Sequence, residues 1–101
     1  GTYAGASPNV GEIIDISLGG VAYNYVEFAG QDASKSKFII CGEDGCCLDD
    51  FTCALVSDKV CHAASALSPI VTRQRRIQFI NLTAEQAALL HDFIDINRES
   101  D

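Results

Sequence analysis

The sequence predicts a mainly β domain, an antiparallel barrel or curled sheet with one helix laid over an opening. Three observations predict it. Strand-like runs recur between Gly-bearing breaks from Val10 to Ile80, a capping box stands at Thr83-Ala84-Glu85-Gln86, and apolar residues then repeat along one helical face as far as Ile94.

Taken in order, Gly1 to Asn9 holds Gly, Ala, Ser and Pro with one Tyr and no period, so residues 1–9 read as a flexible arm. A single domain is expected over 10–97. Val10 to Leu18 and Val21 to Phe28 are strand-like, and the Gly19-Gly20 pair between them reads as a hairpin or a bulged corner. Gly30 to Ser36 is a polar loop and Lys37 to Cys41 a short strand. Gly42-Glu43-Asp44-Gly45 supplies the positive-φ residue of a tight turn. Cys46 to Leu48 and Phe51 to Ser57 are further strands. Asp58 to Thr72 has weak periodicity and reads as a long connection. Alternation returns at Arg75 to Ile80, with Ile77 and Phe79 opposite Arg76 and Gln78, which makes the last strand. A helix over about 83–97 follows. It sets Ala87, Leu89, Leu90, Phe93 and Ile94 on one face, against Glu85, His91, Asp92 and Asp95.

Composition narrows the function classes. The chain has 101 residues, 48% of them hydrophobic, so it can bury one core. No apolar run approaches the ~18 residues that span a bilayer. The first fourteen residues lack the layout of a signal peptide, so a cytoplasmic protein is expected, with no membrane contact. The net charge of −7 argues against DNA or RNA as a general partner. Basic residues gather at Lys35 and Lys37 and at Arg73, Arg75 and Arg76; each cluster reads either as a solvated strand end or as a local anion contact.

The five cysteines, Cys41, Cys46, Cys47, Cys53 and Cys61, are an odd count in an apolar-rich chain, which is unlike a secreted disulfide scaffold. Zinc fails on spacing, because no Cys-x-x-Cys pair exists and His62 follows Cys61 directly; no metal and no cofactor is expected. On a strand, Cys46 and Cys47 point to opposite faces, which leaves one of them open to oxidation. Nor does a catalytic set emerge. His62 and His91 are far apart, Cys61 and His62 point apart on a strand, and Asp49-Asp50 and Asp92/Asp95 read as turn and solvent residues. The chain is expected not to be an enzyme.

Asp15-Ile16-Ser17-Leu18-Gly19-Gly20 is the informative segment. It places a carboxylate and a hydroxyl two residues apart, hence on one strand face, and ends in Gly, where backbone can approach a ligand closely. A carboxylate accepts two parallel hydrogen bonds from an edge with adjacent donors, and the N1–H and N2–H₂ edge of guanine is such an edge. Ser17 adds a donor or acceptor for a base or a phosphate. The same residues would also serve at a strand end by satisfying turn amides.

Asp15-x-Ser17-x-x-Gly20, inside Glu12 to Val21, resembles the Asp/Asn-x-Ser-x-x-Gly motif of PilZ domains, bacterial receptors for cyclic di-GMP. Arg76 to Gln86 is similar to the strand-into-helix ending of that family, and the two matches stand in the expected order. The resemblance implies a six-stranded antiparallel β-barrel closed by a C-terminal amphipathic helix. It also implies a cytoplasmic signalling module that binds cyclic di-GMP and relays binding to a downstream protein partner. Asp15, Ser17, Gly19 and Gly20 are then the ligand-binding residues, with Arg75 and Arg76 as candidate secondary phosphate contacts. One departure stands out. Binding members carry an Arg-x-x-x-Arg arm ahead of this motif, its guanidinium groups suited to phosphate and to the guanine O6/N7 edge. None of the seven basic residues here precedes Lys35. Either an arm stands upstream of residue 1, or the chain is a protein-interaction relative that does not bind the dinucleotide. A redox or metal protein built on Cys41, Cys46, Cys47 and Cys53 is the third reading.

Overall fold

Val21, Tyr23 and Tyr25 are buried while Asn24 and Val26 are exposed, and this two-residue alternation fixes one face of the central strand to the core. The computed structural model describes residues 1–6, 9–28, 38–45, 47–63, 65, 67 and 70–97. Its elements are β1 (Tyr3–Ala6), β2 (Asn9–Ile16), β3 (Gly20–Phe28), β4 (Phe38–Cys41), β5 (Cys47–Leu48), β6 (Cys53–His62), β7 (Ile70–Phe79) and α1 (Ala84–Asn97). The seven strands form one antiparallel sheet in the order β5-β4-β1-β2-β3-β7-β6.

The mainly β fold with one C-terminal helix is as expected, but the six-stranded closed barrel is not formed. There are seven strands, and among the described residues no ladder joins β5 to β6. The two ends are poor partners. β5 is two residues long, and β6 carries register shifts at Leu55/Ser57 and Val60/His62, the kind of irregularity that bends an edge away from further pairing.

The seventh strand comes from the segment expected to be a flexible arm. Tyr3–Ala6 lies between β2 and β4, pairs with both, and buries Ala4 completely. Its strand character is supplied by its neighbours, since Tyr-Ala-Gly-Ala has no period of its own. The long connection expected over Asp58 to Thr72 is also corrected. β6 runs on to His62 and β7 starts at Ile70. Asp58, Arg73 and Arg75 occupy inward positions of this outer ribbon and interrupt the apolar alternation there. The expected loop over Gly30 to Ser36, with Lys35 and Lys37, and the exposure of Cys46 lie outside the described residues.

The helix forms as the capping box requires. Thr83 Oγ1 accepts the Gln86 amide at 3.0 Å, and Gln86 Oε1 accepts the Thr83 amide at 3.0 Å. Gln86 Nε2 also donates to the Asp50 carbonyl, tying the start of the helix to the chain ahead of β6. A 14-residue helix is marginal alone, so docking holds it. Leu90 and Phe93 are buried against Ala4, Val21, Tyr23, Ile40 and Phe79, and each contributes about 1.5–3 kcal/mol. Leu89, expected on that face, is exposed, while Ala87 and Ile94 are half-buried beside Leu90 and Phe93 as expected.

Cys41 and Cys47 are cross-strand partners on β4 and β5, with Cα atoms 4.1 Å apart, and form a disulfide. Gly45, with φ of 83°, makes the turn between them. Cys53 is half-buried and its thiol is pushed up to about 11 by burial, which keeps it protonated and unreactive; Cys61 is free and exposed. Among the described residues no helix is long and apolar enough to cross a membrane.

Candidate functional site

β2 meets β3 through a tight corner. The Ser17 amide donates to the Gly20 carbonyl at 2.9 Å, and Ser17 Oγ accepts the Gly19 amide at 3.2 Å. The Gly19 carbonyl in turn accepts the Phe79 amide, so the corner is pinned to the end of β7. Gly20 is required there by proximity: a Cβ at this position would run into the Ile77 carbonyl.

Register then carries Asp15 to its partner. Asp15 pairs with Ala22 on β3, and Ala22 pairs with Arg76 on β7, so one row crosses three strands on the face turned away from the helix. Two strand spacings separate the Asp15 and Arg76 backbones by about 10 Å. Only a methyl stands between them, at Ala22, and Arg76 Nη1 comes within 3.9 Å of Asp15 Oδ2 above it. The Ala22 side chain is fully covered while both charged groups face solvent.

Asp15, Ser17, Gly19 and Gly20 line a depression of about 240 Å³ together with Arg76. Sequence reasoning missed three further lining residues, Val56, Ile77 and Gln78. Gln78 was legible as the next outward residue after Arg76 on an alternating strand. Val56 was not, because it reaches the rim through the β6 irregularity between Leu55 and Ser57.

Arg75 does not join them. Adjacent strand residues point to opposite faces, and Arg75 lies on the inner face, where Asp58 binds it. Arg73 Nε donates to Asp58 Oδ1 at 2.7 Å and Arg75 Nε to Asp58 Oδ2 at 2.8 Å. Tyr25 Oη donates to Asp58 Oδ2 at 2.7 Å and accepts from Arg75 Nη2 at 2.8 Å, with the Arg75 guanidinium 4.8 Å from the Tyr25 ring centre. Burial alone would raise the Asp58 carboxyl, but the hydrogen bonds from Tyr25, Arg73 and Arg75 outweigh it and hold the group below its ordinary value. Burial, with the hydrogen bond to Asp58, pushes Tyr25 up to about 12. This cluster knits the outer ribbon together and is spent on structure.

The other chemistry-bearing residues remain dispersed. His91 Nδ1 lies 3.6 Å from Asp95 Oδ2 on the exposed side of α1, and His62 is exposed on β6. Among the described residues, no group of three or more His, Cys, Asp or Glu converges.

The outward depression therefore offers a carboxylate, a hydroxyl, a guanidinium and a carboxamide beside two glycines that add no side chain. Such a set can hydrogen-bond the donor edge of a planar base at one end and meet an anion at the other. Comparison with protein-family models, with curated proteins and with solved structures returns no match to this chain.

Proposed function

We propose that the chain is a PilZ-like cyclic di-GMP receptor module, acting in the bacterial cytoplasm and relaying ligand binding to a downstream protein. The reading rests on one observation: the residues of the Asp15-x-Ser17-x-x-Gly20 motif share a single depression with Arg76. Asp15 would accept N1–H and N2–H₂ of one guanine, while Ser17 and the glycine backbone flank the base. Arg76, freed from a weak exposed pair, would turn to a phosphate.

At about 240 Å³ the depression is smaller than the ~300–1,000 Å³ of drug-sized ligand pockets, so it suits one base and one phosphate, not a whole dinucleotide. An Arg-x-x-x-Arg arm ahead of residue 1 would supply the remaining contacts. Calorimetry on this 101-residue chain and on a chain extended upstream tests the reading. Weak binding by the first, tight binding by the second, and loss on Asp15→Ala are expected; no heat from the extended form would overturn it.

One observation favours a second reading, an interaction domain that does not bind the dinucleotide. Leu55, Val56 and Val60 stay exposed on the edge strand β6, as in a sheet edge that receives another chain.

A further inference from the structure

Cys41 and Cys47 tie β4 to β5 where the sheet is thinnest. Two pairings join these strands, Ile40 with Leu48 and Cys41 with Cys47, because β5 is two residues long. So short an edge strand holds poorly by its ladder alone, and the bridge carries much of the connection. The turn it closes has one backbone bond of its own, from the Gly45 amide to the Gly42 carbonyl at 3.1 Å.

That turn is seated on α1. Gly42 is buried, and a Cβ there would stand 2.9 Å from Asn97 Nδ2 and 3.1 Å from Phe93 Cε2, so helix side chains rest directly on its backbone. The Glu43 amide donates to Asn97 Oδ1 at 3.2 Å, and Asn97 Nδ2 donates to the Phe93 carbonyl at 2.9 Å. Bridge, turn and helix are thus joined by one unbroken run of contacts. Phe93 belongs to the core and Ile94 packs beside it, so the run ends where the helix meets the sheet. At the other end the bridge is accessible. Cys47 is exposed and Cys41 half-buried, and an exposed bridge is of the labile, regulatory kind that an external dithiol reaches.

We propose that the Cys41–Cys47 bridge is a redox switch on the seating of α1. Oxidised, it holds the turn of residues 42–45 against Phe93 and Asn97; reduced, it frees the turn and loosens the helix from Phe93 to Asn97. The thiolate of an external dithiol attacks Cys47 Sγ, a mixed disulfide forms as the Sγ–Sγ bond breaks, and Cys41 leaves as a thiolate that takes up a proton. The donor's second thiol then displaces Cys47, so two electrons pass to the protein and the donor ends as a disulfide. Cys47 Sγ already stands 3.6 Å from the Gly45 carbonyl oxygen, an acceptor for the thiol once it forms. The switch does not depend on the nucleotide reading, since none of these residues lines the corner depression.

The test is amide hydrogen exchange on the ¹⁵N-labelled chain without denaturant, with and without dithiothreitol, in a Cys46→Ser background so that one pairing alone can form in this hairpin. The reductant is expected to open the bridge in the folded chain and to speed exchange at Ile94, Asp95, Ile96 and Asn97 at least tenfold, while Tyr23, Tyr25 and Ile77 keep their rates. Asn97→Ala separates the coupling from the bridge: exchange over the same four residues should be fast with the bridge intact and should change less than twofold on reduction. A bridge that resists the reductant until the chain unfolds would overturn the proposal, as would equal exchange in the two states. So would acceleration spread evenly over β3, β7 and α1, since the bridge would then be a structural crosslink and no switch.

Discussion

Arg76 reaches Asp15 across a neighbouring strand: Nη1 and Oδ2 lie 3.9 Å apart above the methyl of Ala22, although β2 and β7 share no hydrogen bonds. Both side chains are more than half exposed, at 51% and 70%, so the pair is worth at most about 1 kcal/mol. Asp15→Ala and Arg76→Ala should therefore leave the melting temperature within a few degrees of the parent, yet each should weaken cyclic di-GMP binding at least tenfold. Thermal melts beside calorimetry separate the two effects.

The Asp58 cluster should behave in the opposite way. Its carboxylate serves Arg73, Arg75 and Tyr25 together, and its removal in Asp58→Ala strands those donors at a cost of about 1–3 kcal/mol. The pH dependence has two arms. Asp58 is lowered in the fold, so its contribution is complete above about pH 4, the unfolded Asp value, and is lost as pH falls through the lowered one. Tyr25 is raised to about 12, so its contribution is complete below about pH 10 and is lost as pH rises toward 12. Melting temperature against pH should fall at both ends in the parent, and both slopes should flatten in Asp58→Ala.

Reduction of Cys41–Cys47 should loosen the β4–β5 hairpin. The bridge closes a short loop, six residues apart in sequence, for which chain entropy gives about 2 kcal/mol. That loop also holds the end of α1, since the Glu43 amide donates to Asn97 Oδ1, whose amide group donates to the Phe93 carbonyl. A dithiol reductant is expected to lower the melting temperature of the parent and to leave that of the Cys41→Ser, Cys47→Ser double variant unchanged.

Gly20→Ala should damage fold and site together. The added methyl meets the Ile77 carbonyl, a backbone atom that cannot rotate away, so β3 and β7 must separate at their best-packed end. A loss of about 1–3 kcal/mol is expected by denaturant titration. Gly19→Ala is the control, because a Cβ there meets only Ser17 Oγ at 3.6 Å, an ordinary contact.

What the sequence made legible was local. The capping box at Thr83 and Gln86 needs only four residues to define it, and the helix starts where it says. The corner at Ser17 to Gly20 lies within one hairpin, so its motif residues converge. What was hidden depends on distant partners. Tyr3–Ala6 is a strand because β2 and β4 flank it. The outer ribbon is extended because Asp58 binds Arg73 and Arg75, an inward polar set that erases the apolar period. Arg75 was readable all the same: one residue from Arg76 on a strand, it had to face the other way. Sheet closure has no local signature, and neither does the irregularity that brings Val56 to the depression.

The central claim, that the corner depression receives a guanine base, is tested most directly by titrating cyclic di-GMP into the ¹⁵N-labelled chain. The amides of Asp15, Ser17, Gly19, Gly20, Arg76 and Gln78 should shift together along one saturable curve, and Asp15→Ala should abolish the shifts. A flat titration at millimolar ligand, or shifts that spare Asp15, Ser17 and Arg76, would contradict it.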